Sequence, residues 1–170
     1  MRKLITVLVL IISCFTMNSQ SIKDLGFLIG TWEVREDNKE NGWWETATRV
    51  GKYVLKDNFI EFKANSIDSN GRKREYIWYF HYNKKTKQFE MTSIFSNWHK
   101  VQSDILEWNA KERILTIRNK PQLGGEFHER LGEMIFSKDF KSYEWKGENK
   151  YGDPNKPSIW RYVEKGKRIK

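Results

Sequence analysis

Asp24-Leu25-Gly26-Phe27-Leu28-Ile29-Gly30-Thr31-Trp32-Glu33 is the stretch on which the reading of this chain turns. Ile22, Leu25, Phe27, Leu28 and Ile29 are enough apolar positions for one short helix. Gly30 then passes the chain to Thr31-Trp32. Beyond residue 30 no helical period survives. Runs rich in Trp, Tyr, Phe, Ile, Val and Thr alternate with clusters of Asn, Asp, Gly and Pro at short spacing, which is the pattern of successive strands. The turn signals are Asp37-Asn38 to Asn41-Gly42, Asp57-Asn58, Asp68-Ser69-Asn70-Gly71, Asn83 to Lys87, Asn109 to Glu112, Pro121 to Gly125, Lys138-Asp139, and Gly152 to Pro157. Asp68 to Gly71 is the strongest, because Asn-Gly supplies positive φ at little cost.

These breaks leave strands near 31–36, 43–50, 52–64, 73–82, 88–97, 98–107, 112–118, 127–137, 141–150 and 158–164. Ten strands joined mostly by hairpins form an up-and-down meander, and closing it removes two aromatic edges that would otherwise invite aggregation. The expected fold is all-β: one antiparallel barrel of about ten strands, plugged at one mouth by a short N-terminal helix, with 31–36 paired to 158–164. There is no repeat, linker or second domain, and 170 residues suffice for one core.

Upstream, Arg2-Lys3 and the apolar run from Leu4 to Ile12, followed by small and polar residues to Gln20, read as an export signal. An apolar run of about nine residues is too short for a lasting membrane anchor. The expected division is a signal peptide at 1–20, a barrel domain at 21–165 and a basic tail at 166–170. The expected location is periplasmic or extracellular. Cys14 is the only cysteine, so the folded domain has no disulfide. In an alternative reading, Ile11-Ile12-Ser13-Cys14 is a loose lipobox and a lipidated Cys14 tethers the protein to a membrane.

Thirty-one Lys and Arg against 22 Asp and Glu leave a formal charge of +9, and loss of Arg2 and Lys3 would lower it by two. The charge is spread through turns and alternating strand positions, and only Lys165 to Lys170 forms a run. That run reads as a solvated tail rather than a nucleic-acid arm. No nucleic-acid partner is expected.

Several segments resemble the calycin-like barrels (lipocalins, fatty-acid-binding proteins, nitrobindins), and among them most nearly the bacterial DUF1579-type lipocalin-like families. They are Gly30-Thr31-Trp32, the hairpin Tyr76-Ile77-Trp78-Tyr79-Phe80-His81-Tyr82-Asn83-Lys84-Lys85-Thr86-Lys87-Gln88-Phe89, and the closing pair Phe140 to Lys150 with Ile159-Trp160-Arg161. The resemblance covers residues 24–165. It implies that Trp32 seals the closed end beneath an arginine from the final strand, with Arg161 the candidate and Gly30 allowing the close approach. The nitrobindin pattern continues Gly-x-Trp-x-Gly, whereas Glu33-Val34-Arg35 follows here. A C-terminal histidine is also lacking, so haem does not carry over, and no cofactor is expected.

Eight tryptophans and 15% aromatic residues are too many to leave outside without large apolar patches. Trp44, Tyr76, Trp78, Phe80, Tyr143 and Trp145 fall on apolar-leaning phases and are expected to face the lumen. In 127–137, His128, Arg130, Gly132, Met134 and Phe136 share one face. The opposite face, with Leu131 and Ile135, is nearly as apolar. If the first face is inward, Arg130 offers its fork to a carboxylate or phosphate. Glu45, beside Trp43 and Trp44, reads as an exposed strand residue, or else as a lumenal partner of Arg130 or a base. His81, His99 and His128 have no metal-binding spacing, and no nucleophile elbow or phosphate loop occurs.

The expected ligand-binding residues are Trp44, Tyr76, Trp78, His128, Arg130 and Trp145, with Gly30, Trp32 and Arg161 structural, and with no catalytic or metal-binding residues. The function read from them is an exported protein holding an amphiphilic or aromatic small molecule in its lumen. Two alternatives stay open. One is a barrel-lumen isomerase, cyclase or hydrolase using Glu45, His128 or Arg130. The other is an envelope or glycan interaction module displaying exposed Trp.

Overall fold

The computed structural model describes residues 20–119 and 127–170. The export signal, Cys14 within it and the turn at 121–125 lie outside the described residues, Gln20 excepted. A 3-10 helix, Ile22–Leu28, opens the fold. Ser21 caps it: its hydroxyl accepts the Lys23 N–H, and its own N–H donates to the Asp24 carboxylate at 2.9 Å. Ten strands follow, β1 (Gly30–Asn38), β2 (Trp43–Val54), β3 (Phe59–Asp68), β4 (Lys73–Asn83), β5 (Gln88–Phe95), β6 (Trp98–Asn109), β7 (Ile114–Asn119), β8 (Phe127–Phe136), β9 (Ser142–Asp153) and β10 (Lys156–Arg168). Each pairs antiparallel with its neighbour in sequence. β1 also pairs with β10, from Trp32 opposite Arg168 to Asp37 opposite Val163, so the barrel is closed. The fold class, the strand count and the closing pair are those expected.

Turn chemistry explains most of the register. Asp68 accepts the N–H groups of Asn70 and Arg72, and Gly71 takes φ +74°, as the Asn-Gly signal requires. One boundary differs. Gly51 is not a break: β2 runs on to Val54, and the chain reverses through Leu55, Lys56 and Asp57, three consecutive residues of positive φ. Gly51 faces inward, where a Cβ would lie 2.2 Å from the Leu28 carbonyl oxygen, so glycine there makes room for the helix. The basic tail expected from residue 166 is also corrected. β10 extends to Arg168, and Ile169 and Lys170 exchange backbone hydrogen bonds with Thr31. These bonds extend the barrel closure to the last residue.

The helix fills one end. Leu25 and Leu28 are fully buried, and the Phe27 ring lies 4.4 Å from Trp108 and 4.6 Å from Phe136, between centroids. Trp32 is fully buried, and its indole N–H donates to the Leu28 carbonyl at 3.1 Å. The arginine above it is Arg168, whose guanidinium carbon is 4.8 Å from the ring centroid and which also donates to the Phe27 carbonyl. Arg161, the candidate from sequence, is corrected: it lies on the outer face in ion pairs with Glu40 and Glu148. The reason is strand length. Because β10 reaches residue 168, the position that meets Trp32 in register lies beyond the point near 164 where the sequence suggests the strand ends. Gly30 has φ +124°, and a Cβ on it would sit 2.5 Å from the Lys170 carbonyl oxygen, so it is required at the seam.

Removing this indole leaves a large void in a packed end. Trp32→Ala is expected to cost about 3–5 kcal/mol in urea unfolding. Arg161→Ala is expected to change stability by no more than about 0.5 kcal/mol. Equal losses in the two variants would place the seal elsewhere.

Candidate ligand-binding site

Strand alternation sends one residue in two into the barrel. At the helix end these residues interlock. At the other end they stop short and leave a cavity of about 750 Å³, within the range of small-molecule sites. Tyr76 and Trp78 from β4 reach it, as do Arg130 and His128 from β8, Trp145 and Asn149 from β9, Trp160 and Tyr162 from β10, and Trp43 from β2. Trp98 and Val101 are exposed and also line it. Of the residues expected from sequence, Tyr76, Trp78, His128, Arg130 and Trp145 come together here. Trp44 does not. It stands on the outer phase of β2, 5.0 Å from the Arg35 guanidinium carbon, and its neighbour Trp43 points in instead. Two adjacent tryptophans offer no local sign of which is inward.

A buried polar cluster floors the cavity. Arg49, 2% exposed, donates through Nη1 and Nη2 to both oxygens of the fully buried Glu164, at 2.6 and 2.5 Å. Tyr76 and Tyr143 complete it: both hydroxyls accept from Arg49, and Tyr143 donates to Glu164 at 2.8 Å. Burial works against the charge on Arg49, but the Glu164 carboxylate more than offsets it and holds the guanidinium firmly protonated. Burial also pushes the Tyr76 and Tyr143 phenols well up, so both stay neutral. The guanidinium carbon lies 4.3 Å from the Trp78 ring centroid, and Trp78 meets Trp145 edge-on at 5.6 Å.

Two further arginines are likewise neutralised. Arg74 forks onto Glu45, which is 3% exposed, with Nη2 to Oε1 at 2.9 Å. Glu45 is therefore a lumenal carboxylate rather than the exposed strand residue favoured from sequence, and its partner is Arg74, not Arg130. Arg130 donates to the fully buried Asp104 at 2.8 Å, and Gln102 holds the other Asp104 oxygen at 3.1 Å. Burial opposes the Arg130 charge and Asp104 restores it. Arg130 is thus inward, but its charge is already balanced, so it is not the free fork for an anion anticipated from sequence.

One lumenal charge has no such partner. Glu36 shares the inward phase of Trp32 and Val34, lines the cavity, and has no ion pair or hydrogen bond among the described residues. The register places it directly between Glu45 on β2 and Glu164 on β10, a row of three carboxyls across adjacent strands. Glu36 is only partly buried; the desolvation this brings, and then the neighbouring Glu164, push its pKa up to about 7, with Arg74 and Arg49 pulling the other way. Sequence reasoning missed it. In Glu33-Val34-Arg35-Glu36-Asp37 an acid next to other charges reads as solvated, and only the register shows its neighbours. Arg49, Asp104 and Glu164 were missed because their partners are distant in sequence: Arg49 meets Glu164, and Asp104 meets Arg130.

Two indole N–H groups at the cavity, Trp78 Nε1 and Trp145 Nε1, have no hydrogen-bond partner among the described residues. Tyr162 stands against Gly147, where a Cβ would fall 2.3 Å from its ring, and Trp145 stands in the same way against Gly132. Gly132 and Gly147 are opposite one another in register, so together they open the wall for both rings. Burial and then Arg130 lower the His128 pKa, which keeps that ring neutral near the mouth. No group of three or more His, Cys, Asp or Glu suited to a metal ion occurs among the described residues.

No family model matches the chain, and no curated protein matches it. Among solved structures it is similar to the EF1p2_mFAP2b protein bound to DFHBI, at 11% identity and TM-score 0.45 over 85% of this chain and 95% of that one. It is also similar to a de novo designed fluorescence-activating β-barrel, at 13% identity and TM-score 0.46 over 84% of this chain and 94% of that one.

Two outcomes follow from these charges. Arg49→Leu leaves Glu164 buried without its cation and is expected to cost about 3–5 kcal/mol in urea unfolding, whereas Arg49→Met with Glu164→Leu should recover most of that loss. For Glu36 the sign is opposite to that of a salt-bridged acid. Between its ordinary value of 4.5 and about 7 the folded protein keeps a proton that the unfolded chain has released, so stability falls as pH rises through that window. Glu36→Gln should therefore be the more stable protein at about pH 8, by on the order of 1–3 kcal/mol, and no more stable than the parent near pH 4.

Proposed function

We propose that this protein is an exported small-molecule binder of the lipocalin-like, DUF1579-related kind, holding an amphiphilic or aromatic ligand non-covalently in the open half of its barrel. The observation that carries the reading is the cavity of about 750 Å³ walled by Trp43, Tyr76, Trp78, Trp145 and Tyr162, with polar atoms left unpartnered in the wall. Buried polar atoms are normally satisfied, so this lining suits a ligand, or water awaiting one, that presents hydrogen-bond groups among aromatic faces. The wall supports a planar molecule over a plain acyl chain. Export rests on residues 1–20 alone, and tethering at Cys14 is the alternative within that reading.

One observation favours a second reading. Glu36 is a carboxyl held near neutrality inside a cavity, the condition of a general base. A lumenal enzyme would use Glu36 in place of Glu45, which is committed to Arg74. The display of exposed Trp on an interaction module has less support, since Trp98 is the only one of the eight tryptophans that is exposed.

The test is a titration of intrinsic Trp fluorescence with neutral aromatic amphiphiles, read alongside product analysis. Saturable quenching with the ligand recovered intact is the expected result. Tyr162→Phe or Trp145→Phe should weaken binding by about 0.5–1.5 kcal/mol if their polar tips bond the ligand. Recovery of an altered ligand would bring forward the enzyme reading, and emission unchanged by every amphiphile would remove the lumen as the binding site.

A further inference from the structure

The lumen contains three arginines, and each faces a carboxylate: Arg49 with Glu164, Arg74 with Glu45, Arg130 with Asp104. Glu36 is a further carboxyl at the cavity, and among the described residues no cation is left for it. It lies in the row with Glu45 and Glu164, and both of those are already used. Beside it in the cavity are buried groups with open valences that point to a bound molecule independently of the acid. The Trp78 indole N–H belongs to a residue 3% exposed and the Trp145 indole N–H to one 2% exposed, and neither has a hydrogen-bond partner among the described residues. Trp43 and Trp160, in edge contact at 5.2 Å, also line the cavity.

We propose that Glu36 is the recognition group of this cavity and that its ligand is an aromatic molecule carrying a cationic nitrogen, an amidinium or protonated amine, which supplies the missing counter-charge. This rests on the lumen being the binding site, as proposed above. An unpaired carboxyl between two others is a poor host for any anion, and with Arg49, Arg74 and Arg130 committed no described residue gives the cavity a free positive group. A planar cation satisfies both demands at once: its N–H groups donate to Glu36, and its face lies against indole rings that attract positive charge. An acceptor atom elsewhere on the same molecule would meet the open N–H of Trp78. The exterior of the chain is basic, with a formal charge of +9, so the preference for a cation is local to the lumen.

The same geometry makes binding depend on pH. Only ionised Glu36 attracts a cation, and its neighbours set when it ionises: Glu164 and Glu45 hold the proton on, and Arg74 and Arg49 oppose them. Tyr162 and Tyr151 also feel Glu36 but stay neutral, since burial raises both phenols. His128 is the other titrating group that lines the cavity. Burial, and then Arg130, lower its pKa from the usual 6.5, and a His128→Asn variant separates its titration from that of Glu36.

The probes are benzamidine, a cation throughout this range, with benzamide and benzoate as its neutral and anionic counterparts, and the uncharged fluorophore N-phenyl-1-naphthylamine as a report on the lumen itself. Binding is measured by calorimetry from about pH 5.5 to 8.5. Benzamidine should bind most tightly at the alkaline end, weaken about tenfold or more toward the acid end, and exceed both counterparts where Glu36 is ionised. Glu36→Gln should remove that preference and flatten the profile, while His128→Asn should leave it in place. N-phenyl-1-naphthylamine should bind both parent and Glu36→Gln with little change. If that fluorophore binds but benzamidine shows neither a preference over benzamide nor a pH dependence, or if Glu36→Gln binds it equally well, the role of Glu36 is overturned and the lumen reading survives. The wild-type pH profile decides this even if the variant fails to fold. If none of the four probes binds, the lumen reading itself falls and this proposal with it.

Discussion

The Arg49–Glu164 pair, with the Tyr76 and Tyr143 hydroxyls bonded to it, is the constraint on which the rest of the barrel rests. Its four side chains come from β2, β10, β4 and β9, so one hydrogen-bonded unit ties strands from around the wall across the interior. A charge this deep is tolerated only with every direction satisfied, and here each guanidinium nitrogen named has a partner. The unit also divides the interior. Below it the helix, Trp32, Phe136 and Tyr143 pack without room for a ligand, and above it the cavity begins.

Inward glycines decide how the aromatic rings fit. Rings as large as Tyr143, Trp145 and Tyr162 cannot all point straight to the axis of a ten-stranded barrel. They lie flat against the wall where the neighbouring strand presents no side chain: Tyr143 against Gly166, Trp145 against Gly132, Tyr162 against Gly147. Folding the rings back leaves the centre of the upper half empty. The cavity and the density of aromatic residues therefore have one cause, and a barrel with alanine at these positions would have to push its rings inward and close the space.

Charge is arranged with the same economy. Each of the three arginines described at the cavity has an acid within hydrogen-bond reach, so their charges are balanced. The exception, Glu36, lies at the edge of the network where β1 meets β2 and β10. Its raised pKa follows from burial beside acids whose cations are already engaged. A carboxyl that folding makes harder to ionise is a cost to the fold wherever it is ionised in the unfolded chain.

Much of this was legible in the amino-acid sequence, and the division follows the range of the forces involved. Ten strands, their meander order, the closing pair and the helical plug before Trp32 could be read because turn chemistry and two-residue alternation act within a few residues. The inward phase of β4, and hence Tyr76 and Trp78, was legible from the same alternation. Where two faces were almost equally apolar, as in β8, only packing decided, and it turned Arg130 and His128 in. Length errors propagated: a strand stopped near 164 made Arg161 the partner of Trp32, when the true register brings Arg168 there. The polar network lay beyond sequence reading altogether. Arg49 and Glu164 are 115 residues apart, and Glu36 is distinguished only by what stands on either side of it in β2 and β10. Local sequence determines where a chain turns and which residues alternate. Which charges meet across a closed barrel, and which one is left without a partner, is decided by closure itself, because the low dielectric of the interior gives each such meeting its energy.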